Sequence, residues 1–134
     1  MPGPELLQPA GWAPPKGYAN GVAASGRIVV TAGQIGWDPA TGEFATDDFA
    51  AQTEQALRNV AAVLREAGAA PEHLVRLTWY VVDRDAYLAS TREIGRAYRD
   101  LFGRHYPAMA VVVVAGLLEA RARVEIEATA VIPG

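Results

Sequence analysis

The sequence has no cysteine, only two histidines and only two serines, and each shortage removes a kind of chemistry. Without cysteine there is no disulfide, no thiolate nucleophile and no cysteine-based metal site. His73 and His105 stand far apart and have no carboxylates at ligand spacing, so we expect no metal. Neither Ser25 nor Ser90 lies in a nucleophile elbow, which disfavours hydrolysis by a covalent serine.

Basic charge and long hydrophobic runs are also scarce. The chain carries 12 Lys and Arg against 15 Asp and Glu, a net charge of −3, so it lacks the electrostatic footprint of a nucleic-acid partner. The longest uncharged apolar stretch, 106–118, is too short to cross a bilayer. Residues 1–5 lack the basic and then apolar form of a signal peptide. We therefore expect a cytoplasmic protein without nucleic-acid or membrane partners.

The 134 residues fit one domain, which we place at 16–134. Five of the nine prolines fall within the first fifteen residues, so 1–15 are predicted to form an extended arm rather than a regular element. Hydrophobic residues make up 51% of the chain and charged residues 20%, which is apolar for so small a protein. Part of that apolar excess is expected at a subunit interface.

Periodicity and turn signals predict an α+β fold of order ββαβαββ. Asp47 or Asp48 would cap the first helix at its N-terminus, and Gly68 would end it. The predicted elements are a β-hairpin of 18–24 and 27–32 around Ser25-Gly26, a helix over 49–67, a strand over 75–82, a helix over 85–102 and a closing hairpin of two strands.

Two helices can cover only one face of such a sheet. Val111 to Val114 are apolar on both sides of their strand, which predicts a cover on each side. Leaving three valine-sized groups in water would forgo several kcal/mol at roughly 25 cal/mol per Å² of apolar area. We therefore expect the bare face to pack against further copies of the chain in a closed cyclic oligomer.

Glu125 and Glu127 lie two residues apart on the last strand, so both carboxylates point to the same face. They are interpreted either as a solvated pair that meets Arg121 and Arg123, or as a site in which one partly desolvated acid holds a proton in a cleft. The residue pattern does not decide between these interpretations.

Five segments of the sequence resemble the RidA/YjgF family of reactive-intermediate deaminases, which act on imines and enamines. They are Lys-Gly-Tyr-Ala-Asn-Gly-Val at 16–22, Val-Thr-Ala-Gly-Gln-Ile at 30–35, the Asp-Pro-x-Thr-Gly turn at 38–42, Tyr-Pro-Ala at 106–108 and Val-Glu-Ile-Glu-Ala at 124–128. The resemblance covers nearly the whole chain from Lys16 onward.

The resemblance implies a chorismate-mutase-like fold: a mixed sheet with two helices on one face, assembled as a homotrimer around a central barrel. It also implies a small-molecule ligand in clefts between subunits and imine hydrolysis to a carbonyl product and ammonia, without a cofactor. Transferred to this chain, Glu125 would handle the water, Tyr18 would close the cleft, and backbone groups around Gly33 and Val111 would bind the ligand.

The main departure from the family pattern is Met109, which stands where active members carry an arginine that grips the substrate carboxylate. On general grounds a methionine after Pro107 is a packing residue, and a thioether cannot replace a bidentate charged contact. We therefore expect a substrate other than short 2-imino acids, unless Arg121 or Arg123 replaces the cation. The alternatives are a non-catalytic trimer that binds a small molecule or a partner and, less favoured, an endoribonuclease or translation inhibitor.

Overall fold

The protein is described by a computed structural model over residues 3–134, so Met1 and Pro2 of the predicted arm lie outside the described residues. Two sheets and three α-helices make an α+β domain, which confirms the predicted fold class. The strands are β1 (Glu5–Leu7), β2 (Gly21–Ala23), β3 (Arg27–Val30), β4 (Gln34–Ile35), β5 (Leu74–Val81), β6 (Ala108–Val113) and β7 (Val124–Ile132); the helices are α1 (Phe49–Glu66), α2 (Arg84–Ala89) and α3 (Thr91–Phe102).

Helix α1 begins and ends close to the positions that its sequence predicts. The carboxylate of Asp48 accepts a hydrogen bond from Ala51 N at 2.9 Å, which satisfies one of the free N–H groups of the first turn. Gly68 follows the last turn with φ of +78°, a conformation that favours glycine. The buried stripe of α1, including Leu57, Val60 and Leu64, packs into the core.

The large sheet has the order β3-β7-β5-β6, with β4 also paired to β7. Strand β6 runs parallel to β5, whereas β7 runs antiparallel to it. The predicted closing hairpin of β6 and β7 is therefore wrong, because β5 lies between the valine strand and the glutamate strand. The ten residues of 114–123 instead cross one end of the sheet, which a tight hairpin turn could not do.

The predicted hairpin around Ser25-Gly26 is also wrong. Strand β2 pairs with β1, and β3 pairs with β7. At Gly26, φ is +143° and a side chain would collide with the carbonyl oxygen of Ile132, so the chain changes sheets there instead of folding back on itself. The N-terminal arm also contains a regular element, since its proline-free stretch Glu5–Leu7 forms β1.

The single helix predicted over 85–102 is two helices. Asp83 caps α2 by accepting a hydrogen bond from Ala86 N at 3.0 Å, and the chain leaves helical geometry at Ser90 with φ of −111° and ψ of 9°. Helix α3 then runs to Gly103, whose φ of +68° ends it as predicted. The break turns α3 so that it packs beside α1.

The core lies between the large sheet and helices α1 and α3. Val124, Ile126 and Ala128 of β7 are buried in it, so the alternate residues of the strand point to the opposite face. That open face exposes 70% of Ile28 and 67% of Val30. The expected bare face is therefore present, and Ile28 and Val30 are apolar side chains that nothing in this chain covers.

Tyr98 gives the fold a predicted sensitivity to alkaline pH. Its hydroxyl donates to the carbonyl oxygen of His105, and burial, with a smaller contribution from Tyr106, raises its pKa well above the ordinary value. The pKa of Tyr98 is thus higher in the folded than in the unfolded protein. The contribution of the neutral Tyr98 hydroxyl to the free energy of unfolding is therefore complete below about pH 10. It declines at higher pH, by up to about 1.4 kcal/mol per pH unit.

We expect Tyr98→Phe to lower the free energy of unfolding by about 1 kcal/mol at pH 8 and to flatten its decline between pH 10 and pH 11.5. Denaturant unfolding at a series of pH values measures both effects. Tyr18→Phe, at an exposed position, is the control. A slope in the Tyr98 variant as steep as that of the control would contradict the assignment.

Candidate functional site

Glu125 and Gly33 lie against each other, as the sequence predicts for two residues of one site. Any side chain at position 33 would collide with the carboxylate of Glu125, so only the absence of a Cβ lets the two segments meet. Strand β4, which follows Gly33, pairs with β7 in the register Ile35 to Glu125. The Glu125 side chain is half-buried. A partly desolvated carboxylate therefore lies next to backbone that could bind a ligand.

The second carboxylate of β7 is bound by a tyrosine that the sequence analysis did not single out. Tyr80 Oη donates to Glu127 Oε1 at 2.6 Å, and the Tyr80 backbone pairs with Glu125 in the register of β5 and β7. The hydrogen bond to Glu127 is the main cause that raises the pKa of Tyr80, followed by desolvation and the charges of Glu127 and Glu125. Tyr80 thus remains a neutral hydrogen-bond donor. The two glutamates differ because Glu127 accepts a hydrogen bond from Tyr80, whereas Glu125 does not.

The alternation of β5 was the signal that could have identified Tyr80. Trp79 and Val81 are buried on the helix side, so position 80 must point to the open face. The sequence showed that alternation but not that β7 would lie beside β5, and without that neighbour the hydroxyl had no predicted partner.

Met109 and Val111 lie together on the helix side of β6. In the parallel register, Met109 stands beside Leu77 and Val111 beside Trp79. With α2 and α3 they enclose a groove of about 200 Å³, which we name the Met109 groove. Its further lining residues are Lys16, Gly17, Tyr87, Thr91, Ile94, Gly95, Tyr98, Arg99 and Tyr106.

Tyr18 belongs to a neighbouring groove. Ala19 N donates to Pro107 O at 3.0 Å, so the segment that carries Tyr18 runs beside the start of β6. The ring itself lines a depression with Leu6 and Trp12 of the N-terminal arm, whereas Gly17 lines the Met109 groove. Within one chain, Tyr18 and Met109 are thus neighbours that line separate depressions.

Apart from Tyr18, the predicted site residues therefore form two groups on opposite faces of one sheet. Glu125 and Gly33 lie on the open face, and Met109 and Val111 lie on the helix side. The sheet separates them, so no small molecule can touch both groups of the same chain.

Comparison with known proteins places this fold in a family. A family model described as Endoribonuclease L-PSP matches residues 10–132. The YjgF gene product of Escherichia coli is 36% identical in sequence and superposes with a TM-score of 0.66, covering 85% of this chain and 87% of that one. The chain belongs to the RidA/YjgF family.

Other RidA/YjgF relatives agree with the chain over most of its length. The Rid-family protein YyfB of Yersinia pestis is 34% identical, with a TM-score of 0.85 over 97% of this chain and 99% of its own. The 2-iminobutanoate/2-iminopropanoate deaminase of Salmonella typhimurium is 37% identical over 117 residues, which are 85% of this chain and 86% of that protein. The human protein of the same name is 31% identical over 105 residues, 78% of this chain and 73% of that one.

Of the two arginines considered as replacements for the family arginine, Arg121 is already engaged. It forms an ion pair with Asp47 at 3.0 Å, and its guanidinium lies 5.5 Å from the ring centre of Phe44. Arg123 is exposed at the start of β7. Alternation along β7 puts Arg123 on the side of Glu125, away from Met109 of the same chain.

Residues 3–134 contain neither a metal cluster nor a membrane-spanning helix. No three His, Asp or Glu side chains in this range converge as a metal site, and no helix combines the length and apolarity needed to cross a bilayer. The expectation of a protein without metal or cofactor stays a prediction.

Proposed function

We propose that the protein hydrolyses a reactive imine or enamine to a carbonyl compound and ammonia, in a cleft between the subunits of a cytoplasmic homotrimer. The substrate is a molecule other than a short 2-imino acid. The observation that carries the proposal is the half-buried Glu125 carboxylate, which lies against Gly33. The second glutamate of the strand, Glu127, already accepts a hydrogen bond from Tyr80.

Glu125 is suited to move the proton that this reaction requires. Water adds to the C=N carbon, a carboxylate accepts a proton from that water, and the nitrogen leaves as ammonia after it has been protonated. An enamine first takes a proton on carbon to become the imine. Glu127 is less suited, because its Oε1 already accepts from Tyr80. The deaminase names of the Salmonella and human relatives support the reaction class.

The trimer is proposed because the predicted site residues of each chain lie on opposite faces of the sheet and because the open face carries uncovered apolar side chains. Ile28, Val30 and Val112 stand exposed on the open side of the sheet, and packing against other copies would remove them from water. A closed ring would also bring the Glu125 half of one chain to the Met109 half of the next. Tyr18 would then close the cleft at its rim.

Met109 sets the expected substrate preference. A thioether makes no charged hydrogen bond to a carboxylate, and the loss of such a contact lowers transition-state binding by about ten- to a hundredfold. We expect this protein to release 2-oxobutanoate from 2-iminobutanoate at least tenfold more slowly than the Salmonella deaminase, and to act faster on imines with larger apolar side chains. An amino-acid oxidase supplies the imines in the assay, and release of the 2-oxo acid is followed over the spontaneous rate.

A matched pair of variants sharpens the assay. Met109→Arg should raise the rate on 2-iminobutanoate by about ten- to a hundredfold. Val113→Arg, on the same side of β6 but beyond the groove, should not. If the unmodified protein already equals the Salmonella deaminase on 2-iminobutanoate, the proposed role of Met109 is wrong.

A second candidate function is a non-catalytic trimer that binds a small molecule or a partner. It is favoured by the aromatic and apolar wall of the Met109 groove, which could retain a ligand without acid–base chemistry. It predicts no turnover of any imine and an unchanged ligand affinity in Glu125→Gln. An endoribonuclease activity, which the description of the family model names, is less favoured because the chain has a net charge of −3.

A further inference from the structure

The Met109 groove contains a buried donor without a partner. Trp79 is 4% exposed and forms part of the groove wall, and its Nε1–H is the only buried side-chain polar group within residues 3–134 that has no hydrogen-bond partner. Buried polar groups are nearly always paired, because leaving one unpaired is costly. The described chain supplies no acceptor for this donor, and the residue that carries it lines the groove.

Two cations also reach the groove without a counter-charge. Lys16 and Arg99 line it, the two ion pairs formed within residues 3–134 involve other side chains, and no Asp or Glu of the described residues lines it. Gly95 leaves room for the guanidinium, since a Cβ at position 95 would come within 3.1 Å of Arg99 Nη1. A concave surface with two free positive charges favours an anion.

The remaining wall is flat and aromatic. Tyr98 and Tyr106 stack with ring centres 5.3 Å apart and planes 15° from parallel, and Ile94 and Met109 stand near them. Such a wall favours a planar apolar group, and a methionine adapts to its shape. The groove has a volume of about 200 Å³. Pockets for drug-sized ligands usually have about 300 Å³ or more, so this groove suits one small ring.

We propose that the Met109 groove recognises an aromatic 2-oxo or 2-imino acid: Arg99 and Lys16 bind its carboxylate, the Trp79 Nε1–H donates to its oxygen or nitrogen acceptor, and its ring lies against Met109 and the stacked tyrosines. That the bound molecule is a substrate rests on the proposed function; that it binds does not.

The indole N–H signals in a ¹H–¹⁵N spectrum of the full chain test the donor directly. The chain has three tryptophans, and the signal lost in Trp79→Phe assigns Trp79. Phenylpyruvate is the probe, with 2-oxobutanoate as the short acid and methyl phenylpyruvate as the neutral analogue. We expect phenylpyruvate to move the Trp79 signal downfield and to bind at least tenfold more tightly than 2-oxobutanoate. An unmoved Trp79 signal at saturation, or equal affinities, would overturn the proposal.

Variants of α3 test whether Arg99 binds the carboxylate of the ligand. Arg99→Gln should weaken the binding of phenylpyruvate by about ten- to a hundredfold while leaving that of the methyl ester unchanged. Arg96→Gln, on the same helix but outside the groove, should change neither. Both positions are exposed, so neither variant is expected to affect folding. Equal effects of the two variants on phenylpyruvate would refute the role of Arg99.

The binding data and the imine assay fail independently. A Trp79 signal that responds to phenylpyruvate, in a protein that turns over no imine, would support this inference and reject the proposed hydrolysis. Efficient imine turnover with an unmoved Trp79 signal and no effect of Arg99→Gln would support the proposed hydrolysis and reject this inference.

Discussion

Glu125→Gln should lower kcat/KM for imine hydrolysis by about 10²- to 10⁴-fold, because an amide cannot accept the proton of the attacking water. The protein should still fold, since the amide keeps the size of the side chain and no hydrogen bond of Glu125 within the described chain is lost. The measurement is 2-oxo acid release from the best imine found for the unmodified protein, with thermal unfolding recorded in parallel.

Glu127→Gln is the matched control for this prediction. It lies on the same strand and face, and its amide oxygen can still accept from Tyr80. We expect at most a small loss of turnover. If the two substitutions are equally damaging, Glu125 has no special role and the carboxylates act only through the charge of the open face.

Mixed assemblies test whether a cleft takes its halves from two chains. Met109→Glu should block the Met109 half by repelling the substrate carboxylate, while Glu125→Gln disables the other half. When the two inactive variants are refolded together, roughly a quarter of the clefts in a ring should combine two intact halves, and activity should return. Refolding each variant alone should restore none. Persistent inactivity of the mixture, with mixed oligomers shown by native mass spectrometry, would place both halves elsewhere.

Gln52→Leu is expected to lower the free energy of unfolding by about 3–5 kcal/mol, the largest effect on stability that we predict. The side chain is fully buried and joins three parts of the chain. Its Nε2 donates to Thr46 O and to Arg121 O, both at 3.0 Å, and its Oε1 accepts from Arg123 N at 2.8 Å. Leucine fills a similar volume but leaves these backbone groups without a partner inside the protein.

Gln55→Leu, on the same helix, separates this effect from helix propensity. The Gln55 amide bonds only Asn59 within α1, so we expect a change of about 1 kcal/mol or less. Denaturant unfolding of both variants gives the comparison. A loss in Gln52→Leu no larger than that in Gln55→Leu would mean that water satisfies the three backbone groups and that Gln52 is not a structural clamp.

The elements that the sequence predicted correctly are those with local causes. The start of α1 follows from Asp48 and its end from the glycine two residues beyond, and the alternation of β5 follows from its own residues. The two wrong hairpins are errors about strand partners, whereas the break at Ser90 between α2 and α3 was missed within one predicted helix. Whether 27–30 pairs with β2 or with β7 depends on contacts about a hundred residues apart, and no turn signal encodes that choice.

The same distinction between local causes and distant partners applies to the candidate site. The family resemblance assigned Glu125 and Gly33 to one cleft, and the structure brings the two residues together. Tyr80, Trp79 and Arg99 were missed because their importance depends on what lies across the sheet or beside α3. A tryptophan in a strand signals packing; only the coordinates of its neighbours show that the indole N–H has no partner.

Strand β6 lies at the edge of the large sheet. Val113 is 56% exposed, and beyond the bridge between Ala19 and Ala108 no strand within residues 3–134 pairs with the outer side of β6. Such an edge can pair with any other extended chain, including a misfolded copy. A newly folded subunit of the proposed trimer would therefore face a kinetic competition between assembly and aggregation. Solubility during synthesis would depend on how fast the subunits meet, and charged substitutions at Val113 should ease that competition.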